Sequence, residues 1–236
     1  MQKIPKIIHQ IWSGVDEPLP EEFRSLGDTW KRDYPDWEYR LWDNKKMIEF
    51  VKTEYPEHWF VYQKYPFNVQ RWDAIRYLIL EKMGGLYVDF DYESLKPMFE
   101  ILENKTCCFS LEKEVGGRGL FKVFNNAMMA SIPHHPFMQK IVKFVFSRTN
   151  LIPQYTTKNL TIFNTTGPYA LIRLYETLTA AEKEDVYLIP ARFVSPFTGL
   201  EAEEVRFGVL TQELDDCLDD AYAVHYYVSN WVKTNN

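Results

Sequence analysis

The chain has 236 residues, 46% of them hydrophobic, and a formal net charge of −6. That apolar share suffices for one α/β domain and excludes disorder. The negative balance, with no basic run, excludes non-specific nucleic-acid binding, which depends on Lys and Arg neutralising phosphates. Cys107, Cys108 and Cys217 form neither a CxxC pair nor a disulfide framework, so a reducing compartment fits. The first apolar stretch, residues 7–12, is interrupted by His9 and Gln10 and is too short for a signal peptide. No run approaches the roughly 20 apolar residues of a membrane span. A cytoplasmic location is the expectation, with peripheral contact at the inner face of a membrane left open.

In chain order, residues 7–12 predict a short buried strand and residues 20–34 a helix that Pro35 ends. Residues 37–42 alternate with period two and predict a second strand. Residues 68–83 give the clearest helix, with Val69, Trp72, Ile75, Ile79 and Met83 on one apolar stripe. Gly84 and Gly85 stand where that helix should be capped. Leu86-Tyr87-Val88 then predicts a strand ending at Asp89. Residues 106–111, 127–132 and 186–189 predict strands. Residues 136–147 and 168–178 predict helices with Pro in the first turn, and residues 215–220 an acidic surface segment. The alternation indicates an α/β fold with a mainly parallel sheet.

Asp89-Phe90-Asp91 carries the strongest chemical signal. Two carboxylates one residue apart at a strand end can turn toward one divalent cation, and hard oxygens suit Mg²⁺ or Mn²⁺ bridging to substrate phosphates. A bare D-x-D more often marks a solvated acidic loop. Here the lead-in from Gly84 to Val88 places it at the strand edge where open α/β sheets bind ligands. On the preceding helix, Asp73, Arg76 and Tyr77 share one face. Asp73 and Arg76 read either as a wet surface ion pair or as groups that hold sugar hydroxyls and phosphate.

These blocks resemble glycosyltransferase family 32, the D-x-D-containing enzymes of the yeast α-1,6-mannosyltransferase type. The resemblance runs through residues 4–12, Trp37-Glu38-Tyr39 with Leu41-Trp42, residues 71–77 and residues 84–91. It continues through Asn125-Asn126-Ala127, Pro133 with His135-Pro136, Thr166-Gly167-Pro168, Ser229 and Trp231. The glucosylating domains of large clostridial toxins are similar in the block from Arg71 to Asp91. The resemblance implies a GT-A fold, Rossmann-like with a mainly parallel sheet flanked by helices, as a single domain over residues 1–236. It further implies a nucleotide-diphosphate-sugar donor, with a UDP-sugar ahead of GDP-mannose. Transfer would be retaining, to a saccharide or lipid-linked saccharide acceptor, in surface or capsular polysaccharide synthesis. Mn²⁺ or Mg²⁺ would be the cofactor.

By the same likeness Trp12 would stack on the nucleobase, Asp73 and Arg76 would hold the hexose, and Tyr87 and Trp231 would complete the donor site. Asp89 would serve ribose or metal and Asp91 the metal and diphosphate. Ser229 would add a metal ligand, and His225 matches a histidine that mannosyltransferase-type members carry. Asn125 and Asn126, entering a strand, are candidates near the anomeric carbon, a turn being the plain alternative. No general base is named, because the departing phosphate can take the acceptor's proton. Residues 116–119 read as a loop over the donor rather than a phosphate-binding loop. Two other classes compete: a Mg²⁺-dependent phosphohydrolase using D-x-D, and a non-catalytic carbohydrate-binding module.

Overall fold

A computed structural model describes residues 3–15, 17–114, 123–152 and 154–228. The strands are β1 (Ile7–Ile11), β2 (Glu38–Trp42), β3 (Gly85–Val88), β4 (Tyr92–Ser94), β5 (Cys107–Leu111), β6 (Phe124–Ser131), β7 (Tyr187–Ile189) and β8 (Ala223–His225). Six form one sheet in the order β2-β1-β3-β6-β5-β7, while β4 and β8 pair separately. In the large sheet only β6 runs against the other strands. The helices used below are α1 (Glu21–Asp33), α2 (Asn44–Glu54), α3 (Trp59–Lys64), α4 (Asn68–Met83), α5 (Phe99–Leu102), α6 (Pro136–Val145), α7 (Lys158–Thr165) and α8 (Pro168–Glu176).

Strand alternation sorts the core onto two faces. Tyr87, Phe109 and Met129 pack with Ile75, Leu78 and Ile141 on the α4 side; Leu86, Val88, Met128 and Ala130 pack with Trp30 and Tyr34 on the α1 side. A sheet covered on both faces needs such continuous apolar strands. Helix α1 complements its own dipole, with Glu21 and Glu22 in the first turn and Lys31 and Arg32 in the last.

The strand order reverses around β1: the chain leaves it for β2 on one side and returns to β3 on the other. Ligands of open α/β sheets bind where the order reverses, beyond the strands' C-terminal ends. The parallel register pairs His9 with Tyr87, and its continuation sets Trp12 level with Phe90.

The glycine pair after α4 makes the turn into β3 at φ +64° and +101°, conformations that side chains disfavour. A Cβ on Gly85 would also lie 2.6 Å from the Ile7 carbonyl oxygen. The turn is pinned by His9, which is fully buried. An indole N–H can only donate, so the 3.1 Å contact from Trp42 Nε1 makes His9 Nδ1 the acceptor and leaves Nε2–H for the Gly84 carbonyl at 3.0 Å. Burial holds this imidazole neutral, lowering its pKa to about 4.

Two sequence expectations need correction. Helix α4 is buried almost all round, from Asp73 through Glu81, whereas Trp72 and Met83 of the expected stripe are only half-buried. Strand β6 begins at Phe124, so Asn125 and Asn126 lie inside a strand rather than in a turn. The acidic segment at residues 215–220 keeps its aspartates exposed, as expected, and begins within a short helix, Gln212–Asp216, that buries Leu214. The glycine-rich stretch at 116–119 lies outside the described residues.

Candidate active site

The Asp89 N–H continues the β3–β6 ladder to the Ala127 carbonyl at 2.7 Å, and the Asp89 carbonyl accepts from Tyr92 N–H at 3.2 Å. A turn thus carries the chain from β3 to β4 with both aspartates on it. Phe90 between them is buried against α1. Helix and ring come so close that a Cβ on Gly27 would stand 2.8 Å from the Phe90 ring. Trp12 meets Phe90 edge-on at 6.1 Å and 85°, and Phe23 at 5.5 Å. Its Nε1 donates to the Glu17 carbonyl at 2.9 Å. The half-buried indole is thereby fixed beside the triplet.

Asp73 and Arg76 are internal, 5% and 7% exposed, which removes the surface ion pair as a reading. Arg76 lies 3.4 Å from Asp73 and 3.3 Å from Asp89, and donates to the Asn126 carbonyl at 2.8 Å. Its guanidinium covers the Tyr87 ring at 4.7 Å, and the Tyr87 hydroxyl donates to Asp89. One cation therefore serves two carboxylates in a low-dielectric setting. Burial outweighs that help at Asp73 and lifts its pKa to about 6. Enclosure likewise raises the Asp89 carboxyl above its ordinary range despite Arg76, with the Asp91 charge adding to the effect.

Asp91 is tied to the chain after β8. Its Oδ2 accepts from Val228 N–H at 2.9 Å and lies 3.4 Å from His225 Nε2. Enclosure works against its charge, but His225 and the Val228 N–H outweigh it and hold this carboxyl below its ordinary range. The His225 ring is stacked on Tyr92 at 4.2 Å and packed by Tyr227 at 3.9 Å, and among the described residues its buried Nδ1 has no hydrogen-bond partner.

The two asparagines part company because strand neighbours point to opposite faces. Asn126 joins Asp73 on the α4 face, donating to its Oδ1 at 2.9 Å. Asn125 turns to the other face, where its Oδ1 accepts from Ser110 at 2.7 Å and its Nδ2 donates to Glu112 at 3.3 Å. Ser229 and Trp231 lie outside the described residues. Sequence reasoning did not assign site roles to Tyr77 and Thr166, which help hold Asp73, or to Tyr92, which stacks on His225. For Tyr77 the i, i+4 spacing from Asp73 was the available signal.

Among the described residues no group of three or more His, Cys, Asp and Glu side chains gathers to hold an ion. Asp89 and Asp91 offer hard oxygens, 30% and 14% exposed. That donor set fits a cation sharing its shell with substrate phosphates, as Mg²⁺ and Mn²⁺ commonly do.

A family model described as the glycosyltransferase sugar-binding region containing a DXD motif matches residues 20–108. The chain is 31% identical over 233 residues to an uncharacterized glycosyltransferase of Acanthamoeba polyphaga mimivirus, covering 97% of the chain and 84% of that relative. The chain belongs to the DXD-containing glycosyltransferases. This glycosyltransferase is also 33% identical over 196 residues to inositol phosphoceramide mannosyltransferase 1 of Schizosaccharomyces pombe, covering 81% of the chain but 57% of the relative. It thus spans little more than half the length of that relative. The PaToxG glycosyltransferase structure superposes with a TM-score of 0.57 at 18% identity, covering 93% of this chain and 89% of that one. That likeness confirms the GT-A fold. Family membership sets aside the phosphohydrolase and the non-catalytic module.

Proposed function

We propose that this glycosyltransferase moves a mannosyl group from a sugar nucleotide to a hydroxyl of a saccharide or a polar lipid headgroup. The observation that carries the reading is the buried Asp73–Arg76–Asp89 cluster beside Asp91, at the strand edge where Trp12 also lies. The sequence placed a UDP-sugar ahead of GDP-mannose. Curated yeast relatives named for mannosyl transfer support the reverse order. They also favour a lipid-linked headgroup over a capsular polysaccharide as acceptor. Among the described residues no helix is long and apolar enough to cross a membrane.

In this reading Trp12 takes the base on its exposed face, while Asp73 and Arg76 hold hexose hydroxyls. Asp89 and Asp91 would hold Mn²⁺ or Mg²⁺, with His225 and Ser229 as further ligands and Trp231 beside the diphosphate. When bound, the ion neutralises charge developing on the departing diphosphate. The acceptor oxygen bonds to the anomeric carbon as the bond to the diphosphate breaks. The acceptor proton leaves with the nucleoside diphosphate, and configuration is retained. Asn126 fixes Asp73 and Arg76 near that carbon. Asn125 belongs to the opposite face and supports the strand.

The test is a donor panel of UDP- and GDP-sugars with Mn²⁺, read by release of nucleoside diphosphate in the presence of glycosylinositol and oligosaccharide acceptors. GDP-mannose should be the preferred donor. Preference for a UDP-hexose would restore the sequence's first ordering, and failure with every donor would sink the proposal.

A further inference from the structure

Asp73 closes a hydrogen-bonded ring with Asn126, Tyr77 and Thr166. Asn126 Nδ2 donates to Asp73 Oδ1 at 2.9 Å and to the Tyr77 hydroxyl at 2.8 Å. The Tyr77 hydroxyl donates in turn to the Thr166 carbonyl at 2.6 Å. Thr166 Oγ1 returns to Asp73 Oδ2 at 3.0 Å. Directions are fixed by chemistry: an amide nitrogen can only donate, an ionised carboxylate can only accept, and Tyr77 does both. The alternative acceptor for the Thr166 hydroxyl, the Ile162 carbonyl, is farther away at 3.4 Å.

The ring unites three elements. Asp73 and Tyr77 stand one turn apart on α4, Asn126 comes from β6, and Thr166 comes from the elbow between α7 and α8. A second tie, Gln70 Nε2 to Thr165 Oγ1 at 2.8 Å, fastens the same elbow to α4. Thr166 is fully buried, so it cannot itself touch a donor. Each oxygen of Asp73 receives one donor from the ring, and a carboxylate has about four acceptor sites in all. The ring therefore sets the carboxylate plane and leaves capacity for sugar hydroxyls. Polar side chains that orient a binding group in this way are part of its preorganisation.

We propose that Thr166 is a positioning residue for glycosyl transfer, acting through Asp73. The inference rests on the reading of Asp73 as a hexose-holding group. Asp73→Asn is measured first, so a failure of that reading, seen as unchanged kcat/KM in that variant, appears before any Thr166 variant is compared.

Thr166→Val keeps the shape and removes the hydroxyl; Thr166→Ser keeps the hydroxyl. With the preferred sugar nucleotide, Thr166→Val should lower kcat/KM at least ~30-fold, since misplacing a substrate-holding group costs rate. Thr166→Ser should stay within ~3-fold of wild type, and both variants should bind the free nucleoside diphosphate within ~2-fold of wild type. Combined with Asp73→Asn, Thr166→Val should cost less than ~3-fold beyond Asp73→Asn alone, because partners in one network are not additive. Thr166→Ala carries the same expectations if the valine variant does not fold. Unchanged kinetics in the folded valine or alanine variant would overturn the proposal. So would a serine variant as impaired as valine, a parallel loss of nucleoside diphosphate affinity, or a loss that multiplies in the Asp73→Asn background.

Discussion

Arg76 reaches from α4 to the main-chain oxygen of Asn126 on β6, 2.8 Å away, and so spans the sheet edge where β3 ends. The same guanidinium lies 3.3 Å from Asp89 and 3.4 Å from Asp73. A lysine ammonium is more compact and lacks the planar fork, so its three donors cannot reproduce these three contacts at once. Arg76→Lys should therefore reduce kcat/KM at least ~100-fold, about 2.7 kcal/mol of transition-state stabilisation. Arg76→Ala should also lose roughly 3 kcal/mol of folding stability, because it leaves buried carboxylates without their cation. Steady-state kinetics and urea denaturation separate the two effects, and an alanine variant as stable as wild type would contradict the burial of the pair.

Asp91→Asn tests the metal-type triplet. The amide oxygen can still accept from Val228 N–H, so the chain after β8 should stay in place and the melting temperature should change little. A neutral amide holds a divalent ion poorly, so transfer should fall at least ~100-fold. Full activity in this variant would remove Asp91 from the site.

Trp12 links the candidate base-binding surface to the triplet through Phe90. Trp12→Ala should weaken nucleoside diphosphate binding by ~1–3 kcal/mol, the scale of base–aromatic stacking. Calorimetric titration of the folded variant checks this, and unchanged affinity with a lowered melting temperature would reassign Trp12 to packing.

His9 supplies a pH signature of the fold. Its pKa is lowered to about 4 in the folded chain from 6.5 when exposed. Between those values the unfolded chain binds a proton that the folded chain does not, so this contribution is full above pH 6.5 and lost as pH falls toward 4. The loss is about 3 kcal/mol. His9→Gln should be less stable than wild type at neutral pH yet show a shallower fall in stability under acid. Urea titrations across that range read the slope, and equal slopes would contradict a neutral buried imidazole.

The elements that place the site were legible where local physics decides them. Helical spacing fixed α4, the glycine pair fixed its end, and the apolar run through Val88 fixed the strand carrying Asp89. What could not be read was burial imposed by distant segments. Nothing local to Asp73 and Arg76 says that β6 and the α7–α8 elbow close over them, so a surface pair stayed open as a reading. The opposite facing of Asn125 and Asn126 follows from strand alternation, but only once β6 is known to start at Phe124. Strands β4 and β8 have three residues each, too few for any periodic signal. They nevertheless bring His225 to Asp91.

Asp73→Asn offers the most direct test, because it preserves shape while removing the charge that the account assigns to the sugar. At neutral pH the variant should remain folded, since burial disfavours that charge and the amide oxygen still accepts one of the two donors that Asp73 binds. Its affinity for the free nucleoside diphosphate should remain within ~2-fold of wild type, while kcat/KM for the sugar nucleotide falls at least ~100-fold. Unchanged kcat/KM would contradict the claim that Asp73 holds the transferred hexose, and an equal loss of nucleoside diphosphate affinity would place it at the wrong end of the donor.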